Sequence, residues 1–136
     1  MLNYSLIHPP LLSALATAGH GSMIMIADGN YPYATMRSPR SELIHLNLRP
    51  GLLDVPEVLR AVQDATNFES AIVMDPQGAV AEAHDEYRDI LGPRVPMRAV
   101  ERFAFYDLVR SSDVGLVIAT GDRRLYANLL LTVGLR

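Results

Sequence analysis

Three short and almost purely apolar runs constrain this chain more than any other feature: Met23 to Ala27, Ser70 to Met74 and Val114 to Thr120. Each is too short for a typical helix and lacks the polar alternation of a strand with one wet face, so each predicts a strand buried on both sides. Such strands need cover above and below, and the stretches between them carry helical patterns. Pro9-Pro10 opens one with Leu11, Leu12, Leu15 and Ala16 on a stripe, and Gly19 suits its left-handed C-cap. Pro56 opens a second, in which Val55, Val58, Leu59 and Val62 share a face. A charged helix is expected from Ala79 to Leu91, closed by Gly92-Pro93, and a fourth from Arg102 to Val109. Weaker strand signals fall at Leu43 to Leu48, where Ile44, Leu46 and Leu48 alternate with polar residues, at Met97 to Val100, and at Asn128 to Val133. Strands alternating with helices predict an α/β fold, a three-layer α/β/α sandwich on a largely parallel sheet. At 136 residues the chain has room for one such domain, spanning residues 1–136.

The composition removes several function classes. Lys and Arg number 12 against 15 Asp and Glu, a formal charge of −3, so no basic face is available to neutralise nucleic-acid phosphates. Cysteine is absent, which excludes disulfides, thiolate nucleophiles and Cys-based zinc sites. No His pair has the i, i+4 spacing of a helical metal site, and neither a dinucleotide fingerprint nor a Walker loop is present, so neither metal nor cofactor is expected. The apolar runs are far shorter than the roughly 20 residues that cross a bilayer, so no membrane span is expected. The N-terminal residues lack the basic and apolar regions of a secretory signal, and a cytoplasmic location follows as the expectation.

In a parallel sheet, ligands gather beyond the carboxyl ends of the strands, which singles out Asp28, Asp75 and the Thr120-Gly121-Asp122 turn. Asp28 either accepts hydrogen bonds from a ligand hydroxyl or caps its own turn. His20 lies between two glycines, where backbone can approach a ligand closely and imidazole can move protons near neutrality; the plainer reading is a loop histidine without a role. Arg102, at the head of Arg102-Phe103-Ala104-Phe105-Tyr106, brings a guanidinium beside aromatic rings that also suit a core. Tyr126 and Asn128, at alternate positions, would point the same way in an extended segment and suit a polyol. His8, His45 and His84 read as structural or solvated.

Taken together, Gly19-His20-Gly21, Asp28, Glu86-Tyr87-Arg88, the Arg102 to Tyr106 run, Leu116 to Asp122 and Tyr126-Ala127-Asn128 resemble the D-ribose pyranase and L-fucose mutarotase family over nearly the whole chain. The resemblance implies a small α/β isomerase that interconverts cyclic forms of a free monosaccharide without a cofactor. It implies a ring-like homo-oligomer, often a decamer, with sites at subunit interfaces. By the same resemblance His20 is the catalytic acid, and Asp28, Arg102, Tyr126 and Asn128 bind the sugar. Arginine at position 102 favours the fucose branch, since the ribose branch carries histidine there. Ser22 departs from the family, which usually has Asp at that position. The competing expectations are a ribose pyranase and a non-catalytic sugar-binding subunit associated with sugar uptake.

Overall fold

The computed structural model describes residues 1–3 and 5–136. The chain runs α1 (Pro9–Thr17), β1 (Met23–Ala27), β2 (Glu42–His45), α2 (Val55–Gln63), β3 (Phe68–Met74), α3 (Glu82–Leu91), β4 (Met97–Val100), α4 (Arg102–Val109), β5 (Val114–Ala119) and β6 (Leu129–Val133). The six strands form one sheet in the order β2-β5-β1-β6-β3-β4. β1 pairs parallel with β5, β5 with β2, and β3 with β4, whereas β6 runs antiparallel to both β1 and β3. Five strands therefore point one way and one central strand points the other, as a largely parallel sheet requires.

Alternate residues of the central strands feed two cores. Ile24, Ile26, Leu116, Ile118, Leu129 and Leu131 pack beneath α1, α2 and α3. Met25, Val117, Leu130, Ile72 and Met74 pack on the opposite face against Phe105 and Val109 of α4 and against Tyr31. This two-sided burial explains why the strand sequences are continuously apolar. The helix starts follow their local chemistry: Pro9 and Pro56 lie in first turns, and Asp54 with Glu57 forms a reciprocal capping box at α2.

Several local expectations change. α1 ends at Ala18 in an extended conformation, and the left-handed residue is Gly21, with φ 82°, not Gly19. The amide of Gly21 donates to the Val133 carbonyl, so the turn is set by sheet pairing and not by a helix cap. β2 stops at His45, and Leu48 is exposed, because the chain leaves the sheet edge to form the 46–53 loop. The charged helix begins at Glu82, after an exposed turn at residues 76–80.

Candidate active site

Because β6 is antiparallel, the residue preceding it lies at the same edge of the sheet as the residue following β1. Asn128 and Asp28 are thereby joined across 100 residues of chain. The Asn128 Nδ2 donates to Asp28 Oδ2 at 2.8 Å, and the Asp28 amide donates back to Asn128 Oδ1 at 2.9 Å. The other carboxylate oxygen of Asp28 accepts from the amides of Asn30, at 2.8 Å, and Tyr31, at 3.0 Å. The turn is held from behind by β5, since Thr120 Oγ1 donates to the Ala27 carbonyl and the Gly29 amide donates to the Asp122 carbonyl. Asp28 is 2% exposed. Burial pushes its carboxyl up to about 6, against the lowering effect of the amides of Asn30 and Tyr31.

Asp28 forms one wall of a cavity of about 190 Å³ lined also by Asn30, Tyr31, Met74, Arg102, Tyr106, Leu125, Tyr126 and Asn128. Ligand pockets of roughly 300–1,000 Å³ take drug-sized molecules, so this volume limits the ligand to a small one. Arg102 reaches the cavity as the first residue of α4, separated by Glu101 alone from the end of the edge strand β4. Its Nε donates to the Tyr106 hydroxyl at 3.1 Å, with the guanidinium 5.5 Å from the centre of that ring. Among the described residues its terminal nitrogens have no protein hydrogen-bond partner, leaving them available to hydroxyls. Tyr31 braces this wall: its hydroxyl donates to the Met36 carbonyl, and its ring meets Tyr106 edge-on at 5.3 Å. The cavity thus offers a carboxylate, an amide, a phenol and a guanidinium around a small space, the mixture of acceptors and donors that a polyol needs.

Tyr126 reaches the cavity by a different route from the expected one. Its φ is 60°, in the left-handed region, so residues 126–128 are not an extended segment with two parallel side chains. A non-glycine residue there costs about 1–3 kcal/mol and persists only where surroundings enforce it.

The structure brings Asp28, Arg102, Tyr126 and Asn128 together and leaves His20 apart. His20 precedes β1 and Asp28 follows it, so the two stand at opposite edges of the sheet, separated by the length of a five-residue strand, about 16 Å. At its own edge the His20 Nε2 lies 2.9 Å from Oε2 of Glu69 on β3, and both side chains are about half exposed. A neutral imidazole in this contact donates from Nε2, which leaves Nδ1 as the free proton acceptor.

The other strand-end candidates have structural partners. Asp75 accepts from the Gln77 amide in its own turn. Asp122 is clamped by Arg124, whose Nε and a terminal nitrogen engage its two oxygens at 3.0 and 2.7 Å, and it also accepts from the Val55 amide at the start of α2. Burial acts to raise the Asp122 carboxyl, but Arg124 and the Val55 amide outweigh it and hold it below the usual carboxylate range. At Gly121 a Cβ would come 2.5 Å from the Arg49 carbonyl and 2.6 Å from that of Leu52, so only glycine fits. A larger groove of about 600 Å³ lies beside this loop, lined by Asn30, Asn47, Arg49 and Arg123. It gathers none of the four converging residues.

His8 caps α1 by accepting from the Leu11 amide, and exposed His45 packs edge-on against Tyr33. His84 is buried, with Nε2 2.8 Å from the Tyr126 carbonyl. Burial holds its imidazole below the usual range. Glu69, His84, Tyr31 and Tyr106 contribute to these arrangements without having been singled out for the site individually. The only local signal for His84 is its i, i+3 pairing with Tyr87 on a helix face that also carries Ala83 and Leu91.

A model of the RbsD / FucU transport protein family matches residues 1–136. Fucose mutarotase of Danio rerio is 34% identical over 143 aligned residues, which cover 96% of this chain and 90% of that protein. D-ribose pyranase of Paracidovorax citrulli (strain AAC00-1) is 34% identical over 136 residues, covering 98% of each chain. The solved structure of Bacillus subtilis RbsD complexed with D-ribose superposes with a TM-score of 0.86 at 23% identity, covering 100% of this chain and 99% of that one, which establishes the shared fold. Despite the word transport in the family's description, no helix among the described residues is long and apolar enough to cross a membrane. With the whole chain matched by the family model and relatives above 30% identity along nearly all its length, this protein belongs to the RbsD/FucU family.

Proposed function

We propose that this chain is an isomerase that interconverts cyclic forms of a free monosaccharide, L-fucose or a similarly configured sugar, by general acid–base catalysis. The observation that carries the reading is the convergence of Asp28, Arg102, Tyr126 and Asn128 on one small cavity in a chain of this family. Ring opening removes a proton from the anomeric hydroxyl and delivers one to the ring oxygen as the bond between the anomeric carbon and that oxygen breaks. Rotation of the resulting carbonyl and the reverse transfers close the ring as the other anomer, with no net change of oxidation state. A well-placed acid or base contributes roughly 10² to 10⁴ to such a step. His20 serves as the acid in its protonated form: with Nε2–H held by the Glu69 carboxylate, the proton on Nδ1 is the one delivered to the ring oxygen, and Nδ1 takes it back on ring closure. Water or a neighbour of the sugar takes the second proton, and Asp28, titrating near 6, is suited to this. These steps call for proton transfer alone, so the proposal includes neither metal nor cofactor.

Since His20 stands at the opposite edge of the sheet, this reading has the acid supplied by a second copy of the chain. A contact between unlike edges is heterologous, and such contacts close into rings when the rotation permits. Leu125 and Phe103, each 67% exposed beside the cavity, are apolar surface that such a contact would cover. A ring-like homo-oligomer, with a decamer as its expected size, and a cytoplasmic setting with free sugar as substrate belong to the same proposal.

A second reading, D-ribose pyranase, is supported by the equal identity to a relative of that name; Arg102 favours the first. Saturation-transfer NMR with L-fucose and D-ribose measures exchange directly. The expected result is faster exchange of L-fucose, abolished in His20→Ala with fold and assembly intact. Co-expressed His20→Ala and Arg102→Ala subunits should recover exchange that neither has alone. Wild-type exchange in His20→Ala, or a monomer by light scattering at micromolar concentration, overturns the mechanism.

A further inference from the structure

Residues 120–128 lie outside any helix or strand, yet they carry Tyr126 and Asn128. Three hydrogen bonds to this segment come from α3, on the other side of the sheet from α4. Arg124 reaches Glu86 at 2.6 Å, the His84 Nε2 meets the Tyr126 carbonyl at 2.8 Å, and the Tyr87 hydroxyl donates to the Ala127 carbonyl at 2.6 Å. His84 and Tyr87 stand one helical turn apart with ring centres separated by 6.2 Å, so the pair can grip two consecutive carbonyls. A carbonyl only accepts, which fixes the His84 proton on Nε2.

The two residues gripped belong to different layers. Ala127 packs in the core under α1, α2 and α3, whereas the Tyr126 ring packs toward α4 and lines the sugar cavity. The left-handed φ of Tyr126 accomplishes this division, leaving its carbonyl facing α3 and its ring on the other side. A residue with a Cβ adopts that backbone conformation only at a cost in free energy, which its surroundings have to offset.

We propose that His84 and Tyr87 are positioning residues for the sugar site: their hydrogen bonds to the Tyr126 and Ala127 carbonyls hold Tyr126 in its left-handed conformation and so aim its phenol into the cavity. The inference rests on the assignment of Tyr126 to the sugar. Neither side chain touches the substrate, and their influence is on where Tyr126 stands.

The test uses His84→Phe, which keeps a ring and loses the donor, and His84→Gln, which restores an N–H donor, each made alone and together with Tyr126→Ala. KM and kcat for L-fucose exchange are read by saturation transfer, and the Tyr126 backbone by its amide–Hα coupling and 13Cα shift. His84→Phe is expected to raise KM about tenfold and to erase the left-handed signature at Tyr126, with His84→Gln recovering both. In the Tyr126→Ala background the His84 effect on KM should vanish, because the side chain being aimed is gone. Should His84→Phe fail to fold, Tyr87→Phe removes only the donor to Ala127 and carries the same comparison. An unchanged Tyr126 signature in the donor-less variants, or an undiminished KM effect in the Tyr126→Ala background, overturns the proposal. A wild type without exchange refutes the proposed function instead, and the backbone signature still decides whether α3 holds Tyr126.

Discussion

Asp28 and Asp122 follow adjacent parallel strands, are equally buried at 2% exposure, and come within electrostatic range of each other, yet they are held in opposite ways. Asp122 has its own guanidinium: Arg124 closes on both of its oxygens and extends to Glu86, tying the loop after β5 to α2 and α3. Asp28 is held by amides alone, from Asn30, Tyr31 and Asn128. The guanidinium nearest to it in function, Arg102, lines the same cavity without bonding to it. A closed carboxylate–guanidinium pair is a clamp, whereas an open one leaves both charges for a ligand between them. The position of an aspartate at a strand end does not separate the two cases; the location of its cation does.

The largest expected effect tests the clamp. Asp122→Ala removes one partner of a mostly buried ion pair and should cost about 3–5 kcal/mol of stability, read as a lowered midpoint in urea unfolding. The same substitution at Asp28 should cost clearly less at pH 7.5, because it also removes a charge that burial disfavours. Equal losses at the two positions would erase the distinction.

Next is the pH dependence of stability. The Asp28 carboxyl rises from its ordinary 3.8 to about 6 in the folded protein, so between those values the native state holds more proton than the unfolded one. Stability from this group therefore falls as pH rises through that window, by up to about 3 kcal/mol, and is flat above it. Asp122, held below its usual range, contributes with the opposite sign, and its share is lost as pH drops below about 3.8. Subtracting the unfolding profile of Asp28→Ala from that of the wild type isolates the first group. A difference curve that climbs with pH would show that the amides outweigh burial at Asp28.

Turnover sharpens the comparison from the other side. Asp28→Ala should lower L-fucose exchange about 100-fold while the protein remains folded at 25 °C, since it removes the carboxylate proposed to bind the sugar and exchange its proton. Loss of exchange no greater than the loss of folded protein would reduce Asp28 to a structural role.

The smallest effect concerns the open cation. Guanidinium presents up to five donors in a fixed fork, imidazole at most two, so Arg102→His should weaken L-fucose exchange about tenfold more than D-ribose exchange. Equal losses for both sugars would show that Arg102 does not select between them.

Much of this molecule was legible in local sequence. Doubly buried strands read as apolar runs, proline marked two helix starts, and Asp28 could be picked out because strand ends are where a parallel sheet offers its ligand edge. The same locality explains the misreadings. Gly19 and Gly21 flank His20 identically in sequence, and only pairing of the Gly21 amide with Val133 decides which takes the left-handed turn. The alternation of Tyr126 and Asn128 suggested a shared direction that the bonds from α3 override.

By itself the sequence determined the order of helices and strands, because burial on one face or two is written in the spacing of apolar residues. Only the tertiary structure decided the rest. The reversed direction of β6 sets Asn128 against Asp28, and the side chains of α3 reach the loop before β6. Arg124 closes on Asp122 while Arg102 stays open, and His20 is placed at the opposite edge from the residues it was grouped with. Each of these depends on strand direction and on contacts between residues tens of positions apart, which no spacing along the chain encodes.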